Sequence, residues 1–152
     1  MIRWREGPER CTRTVKQHIG FVALLVPDYD AAIAYYTNVL GFELISDTPQ
    51  ADEPGKRWVL VAPKGSVETR ILLMKSASPE QAQRVGNQTG GRVFLFLHTD
   101  DFARDYAAFA ARGVTFVEKP RQEEYGMVAV FEDFLGNKWD LLELNAGARA
   151  RS

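Results

Sequence analysis

The sequence predicts an α+β fold of two strand–helix–strand–strand–strand modules, and three observations carry that prediction. Asp28 to Gly41 (DYDAAIAYYTNVLG) and Asp100 to Gly113 (DDFARDYAAFAARG) are the same helical unit, 72 residues apart. An apolar run precedes each copy, and further apolar runs follow it at matched spacing. A polar stretch carrying Pro79, Gly86, Gly90 and Gly91 separates the copies. The chain then divides into a polar leader (1–17), a first module (18–76), a connector (77–91), a second module (92–145) and a tail (146–152) without apolar periodicity. A duplicated module of this kind frames a cleft between its halves, so function is expected on the strand faces that meet there.

The elements follow in order. Ile19 to Val26 is an almost unbroken apolar run, as in a strand covered on both faces. Pro27 and Asp28 end it. Asp28 or Asp30 caps a helix in which Ile33, Tyr36 and Leu40 recur at helical spacing, and Gly41 supplies a left-handed exit. Strands are predicted over Phe42 to Ser46, Arg57 to Ala62 and Thr69 to Lys75. After the connector, Val93 to His98 is a strand, Asp100 or Asp101 caps, Phe102, Tyr106 and Phe109 form the buried stripe, and Gly113 exits. Val114 to Glu118, Met127 to Glu132 and Lys138 to Leu144 supply the last strands, with Phe134 to Asn137 turning between the final two.

Composition narrows the function classes. With 152 residues, 45% of them hydrophobic, the chain can bury a proper core, and a net charge of −1 with interspersed signs offers no field for nucleic acid or an anionic membrane. No apolar stretch reaches the roughly 18 residues of a spanning helix, and the leader lacks the apolar core of a signal peptide, so a cytoplasmic location is expected. Cys11 is the single cysteine, which excludes an internal disulfide and a thiolate metal cluster within one chain. Trp4 is an indole in a loose leader, suited either to partial exposure or to packing across the body or a second subunit.

The duplicated module, with FVALLVPDYDAAIAYYTNVLGFEL in the first half and VAVFEDFLGNKWDLLEL at the end, resembles the vicinal oxygen chelate superfamily of glyoxalase I, bleomycin resistance proteins and extradiol dioxygenases. The resemblance covers roughly residues 18–145. It implies two modules whose curved sheets enclose an open barrel-like cleft, often in a homodimer. It also implies a divalent metal held by two His or Glu ligands from each half. Those four positions fall on Phe21, Arg70, Phe94 and Asp140, of which only Asp140 can bind a metal, so no metal cofactor is expected.

The candidate site residues follow from that placement. Arg70 and Asp140 fall as symmetry mates, either as an ion pair joining the halves or as a substrate site in which Arg70 binds an anionic oxygen and Asp140 accepts a proton. His98 shares a strand face with Phe94 and is either an acid/base or orienting group or a strand-end residue. His18 reads as a strand-end histidine. Phe21, Trp58, Leu72, Phe94, Phe96 and Tyr125, with Trp139, are expected to line an aromatic cleft suited to a flat apolar ligand. Phe134 and Leu135, in place of a more polar turn, are placed to cover a partner subunit.

Three function classes stay open. One is a metal-free protein that sequesters an aromatic or amphipathic small molecule. The second is an enzyme, a lyase, isomerase or dioxygenase, either metal-dependent or using Arg70, Asp140 and His98. The third is a scaffold whose dimer surface is its function.

Overall fold

A computed structural model describes residues 16–152; Trp4 and Cys11 lie outside the described residues. The first half contains strands β1 (Phe21–Val26), β2 (Glu43–Pro49), β3 (Arg57–Ala62) and β4 (Arg70–Lys75) and helix α1 (Tyr29–Ala34), which continues as a π-helical turn over Tyr35–Val39. Its sheet runs in the order β1-β4-β3-β2, with β1 parallel to β4 and the other pairs antiparallel. Between the halves lies α2 (Pro79–Arg84). The second half contains β5 (Val93–His98), α3 (Phe102–Ala111), β6 (Thr115–Phe116), β7 (Arg121–Glu123), β8 (Gly126–Glu132), β9 (Lys138–Leu144) and α4 (Ala146–Arg149). Its sheet runs β5-β9-β8-β6, with β7 also paired to β8 and β5 parallel to β9. Two α+β modules of one plan are therefore present, as the repeat predicts.

Local chemistry sets the helix ends. The Asp28 side chain accepts from the Ala31 amide at 2.8 Å, and Asp101 from that of Arg104 at 3.0 Å. Gly41 and Gly113 then leave their helices at φ +75° and +85°, where a Cβ would be strained. In the π-helical turn Tyr36 is wholly buried, and its hydroxyl donates to Asp133 at 2.8 Å.

Four expectations need correction. The first strand begins at Phe21, leaving Ile19 69% exposed before it. The connector holds a helix, because Ser78 caps it by accepting from the Gln81 amide and Pro79 has no amide that would need a partner. The tail also holds a short helix, capped by Asn145 and packed through the buried Ala148. The single strand predicted over Val114 to Glu118 shortens to Thr115–Phe116, and β7 follows Pro120, which has no N–H to continue a ladder.

Packing decides how the modules meet. Leu24, Val59, Ile71 and Leu73 of the first sheet, Tyr29 and Tyr36 of the first helix region, Phe102 and Phe109 of α3, and Phe131, Trp139 and Leu141 of the second sheet form one buried cluster. Each sheet thus turns its helix-covered face to a shared core and its other face away from it. The connector is pinned to the outer edge of β1 by Gln88. Its side-chain carbonyl accepts from the Leu25 amide at 2.5 Å, and its amide donates to the Ala23 carbonyl at 3.1 Å.

Candidate ligand-binding site

Side-chain alternation along the strands gives each sheet one open face. On the first, Phe21, Ala23 and Leu25 of β1 lie beside Arg70, Leu72 and Met74 of β4 in register, and Trp58 and Leu60 of β3 complete the surface. Phe21 meets Trp58 edge to face at 5.6 Å between ring centroids, and Phe21 is 47% exposed. A cavity of about 500 Å3 opens beside Trp58, lined by Trp58, Leu72 and Met74 and by polar groups that include Gln50, Glu53, Lys56, Arg57 and Gln81. Arg57, at the head of β3, fixes this end. It donates to Asp47 at 2.6 and 2.9 Å and to Asp30 at 2.9 Å, and its guanidinium lies 5.2 Å from the centre of the Tyr29 ring. Hydrogen bonds from Arg57 hold the Asp47 carboxyl below the usual carboxylate range.

The open face of the second sheet carries Phe96 and His98 of β5, Asp140 and Leu142 of β9, Val128 and Val130 of β8, and Arg121 and Glu123 of β7. Asp140 is 7% exposed, and its Oδ1 is buried with no hydrogen-bond partner among the described residues. Burial pushes its carboxyl up; the nearby Arg121 opposes the shift and Glu118 adds to it. Arg121 is itself committed elsewhere, donating to Glu123 at 2.7 Å and pairing with Glu118. Tyr125 lies beside the Arg121 guanidinium, at the turn into β8.

The predicted residues therefore divide between two faces. Phe21, Trp58, Arg70 and Leu72 share one open face; Phe96, His98 and Asp140 share the other, with Tyr125 at its end. Arg70 and Asp140 form no ion pair within the chain, because both open faces look away from the common core. Phe94 stands at a register shift between Val93 and Leu95 and packs against the core, so the cross-strand partner of Asp140 is Phe96. Trp139 belongs to the covered face, 2% exposed and stacked on Phe131 at 5.8 Å, and from there it reaches the wall of the second cavity rather than the open face of Asp140. His98 is exposed, in register with Leu142, and borders a second cavity of about 600 Å3 with Phe96, Lys64 and Glu68. Phe134 is 40% exposed and rests on Tyr35 at 4.9 Å between centroids, while Leu135 packs against the core.

The donor set does not fit a divalent ion. Among the described residues no three His, Cys, Asp or Glu side chains gather to hold one, and Phe21, Arg70 and Phe96 offer a cation nothing. Sequence reasoning missed Glu118, Arg121 and Glu123. Their signal was the alternation of Arg121 and Glu123, which places both on one strand face, but the short strand carrying them was not anticipated.

Comparison with known proteins follows the same architecture. The sequence model of the Glyoxalase/Bleomycin resistance protein/Dioxygenase superfamily matches residues 18–141. An uncharacterized protein of Shewanella frigidimarina (strain NCIMB 400) is 55% identical over 131 residues, 86% of this chain and 96% of that one. Among solved structures, UcmS2 superposes with a TM-score of 0.72 at 29% identity, over 84% of this chain and 98% of its own. TnmS3, an antibiotic binding protein from Streptomyces sp. CB03234, superposes with a TM-score of 0.68 at 30% identity, over 86% of this chain and 98% of its own. The repeated module, the two sheets and the match across both halves place this chain in the Glyoxalase/Bleomycin resistance protein/Dioxygenase superfamily.

Proposed function

We propose that the protein binds a small, flat, aromatic or amphipathic organic molecule on its open sheet faces, without a divalent metal, as a homodimer in the cytoplasm. The observation that carries this reading is the first face, where Trp58, Leu72 and Met74 line a cavity of about 500 Å3 that also carries polar groups such as Gln50, Glu53, Lys56 and Gln81, and where Phe21 packs edge to face on Trp58. TnmS3 is an antibiotic binding protein of the same fold at 30% identity, which supports a ligand of this kind. The dimer reading rests on exposed apolar side chains on both open faces, with Phe21 47% and Phe96 58% exposed. A second copy laid across them would bury that surface and place Arg70 of one chain toward the acidic face of the other.

Titration with a panel of polycyclic aromatic antibiotics tests the function. Quenching of intrinsic fluorescence with saturation, weakened at least about tenfold by Trp58→Leu, is expected for a stacking residue. Saturable binding by no member, or an unchanged affinity in Trp58→Leu, sinks the reading. Metal content is checked on chelator-free protein, followed by thermal scanning with Ni, Zn, Mn and Fe. Stoichiometric metal, or a large thermal shift that His98→Ala or Asp140→Ala abolishes, would return the chain to the metal-dependent lyases, isomerases and dioxygenases.

A further inference from the structure

Asp140 is the least explained group in the described residues. Asp140 is 7% exposed as a residue, and its Oδ1 is buried with no hydrogen-bond partner among the described residues, which leaves Oδ2 as the oxygen open to the face. Its cross-strand neighbours on the open face are apolar, Phe96 on one side and Val130 on the other, while along its own strand it stands between Leu142 and Lys138. An arginine stands close enough to influence its charge, but Arg121 is turned to Glu118 and Glu123. Four carboxylates, Asp140, Glu118, Glu123 and Glu132, therefore share this face with two cations, Arg121 and Lys138, and the face stays electronegative. An unpaired buried charge is costly, and such costs are concentrated where a ligand relieves them. Phe96, largely exposed and in register with Asp140, offers a ring face directly beside the carboxylate.

We infer that Asp140 is the polar anchor of a ligand site on the second open face, selecting planar aromatic ligands that carry a protonated nitrogen, with Phe96 stacking on the ring system. This rests on the small-molecule reading above and adds its charge requirement. The carboxylate supplies a charge-assisted hydrogen bond in a water-poor setting, while Glu118 and Glu123 favour the approach of a cation. Anionic aromatics are excluded by the same charges.

The test uses two nearly isosteric dyes at pH 7.5, acridine, which is neutral there, and 9-aminoacridine, which is protonated. Equilibrium dialysis of the full-length protein is expected to show 9-aminoacridine bound at least about tenfold more tightly than acridine, the ratio one charge-assisted hydrogen bond is worth. Asp140→Asn, similar in shape and checked for folding by its melting curve, is expected to remove that preference, bringing the affinities of the two dyes within about twofold of each other. Phe96→Leu is expected to weaken both dyes. Equal binding of the two dyes by the parent, or a preference unchanged in Asp140→Asn, overturns the anchor and leaves the small-molecule reading standing. Absence of binding by both dyes overturns the anchor, and the antibiotic panel then decides the broader reading separately. The competing partner for the carboxylate is Arg70 of a second copy. If Arg70→Gln and Asp140→Asn are coupled in dimer dissociation and the dye ratio does not change, that pairing replaces the anchor.

Discussion

Two buried aspartates one strand apart have opposite surroundings. Asp133, 4% exposed, accepts from Tyr36, Trp139, the Asn137 side chain and the amides of Leu135 and Asn137, at 2.8 to 3.2 Å. Those donors fix the β8–β9 turn to the first helix region, and Asp133→Ala would strand them in the core. A loss of about 3 kcal/mol or more is expected by urea denaturation; a loss under about 1 kcal/mol would show the network to be dispensable. Asp140 lacks such donors, and the sign of its effect on stability is reversed. Its folded pKa is raised above the unfolded value of about 3.9, so the contribution it makes is complete below that pH and is lost as pH rises through the folded value. Asp140→Asn is therefore expected to melt above the parent at pH 7, with the difference vanishing near pH 4. A variant less stable than the parent at pH 7 would contradict an unrelieved buried charge.

At the scale of elements, the repeated helix was legible because its punctuation is local. Asp28 and Asp101 cap, Gly41 and Gly113 exit, and each signal acts within four residues. Asp101→Ala removes a side-chain acceptor from an exposed helix start, and thermal or urea unfolding is expected to show about 1 kcal/mol lost; no measurable loss would mean the cap is replaceable. The strand β8 starts under a tighter constraint. Gly126 has φ +150°, and a Cβ there would stand 1.9 Å from the Glu143 carbonyl oxygen on β9. Gly126→Ala must displace that backbone, so poor soluble yield or a Tm at least several degrees lower is expected, against near-parental stability if the strands can part freely. The sequence marked this Gly only as part of a Tyr-Gly step; the close approach comes from strand pairing 17 residues later.

For the whole molecule, one core between the two helix-covered faces leaves two apolar faces outward. Phe21 and Phe96, 47% and 58% exposed, place an aromatic side chain on each open face. Sedimentation at micromolar concentration is expected to give a dimer, and Phe96→Glu, which adds charge to an already acidic face, is expected to shift it to monomer. A parent that sediments as a monomer throughout would leave each face to act alone.

The sequence by itself determined the two modules, their helices, most of their strands and the superfamily, because period, caps and exit glycines are encoded within a few residues and are written twice. The family resemblance also singled out Phe21 and Arg70, which stand in register on the first open face. Only the tertiary structure decided where those faces point. A strand pattern records which side chains share a face, whereas the partner of that face depends on how helices pack between sheets. That packing separates Arg70 from Asp140, a register shift replaces Phe94 with Phe96 beside the carboxylate, and the stacked ring of Trp139 goes to the core. The same packing leaves Asp140 buried, with its Oδ1 unpartnered among the described residues.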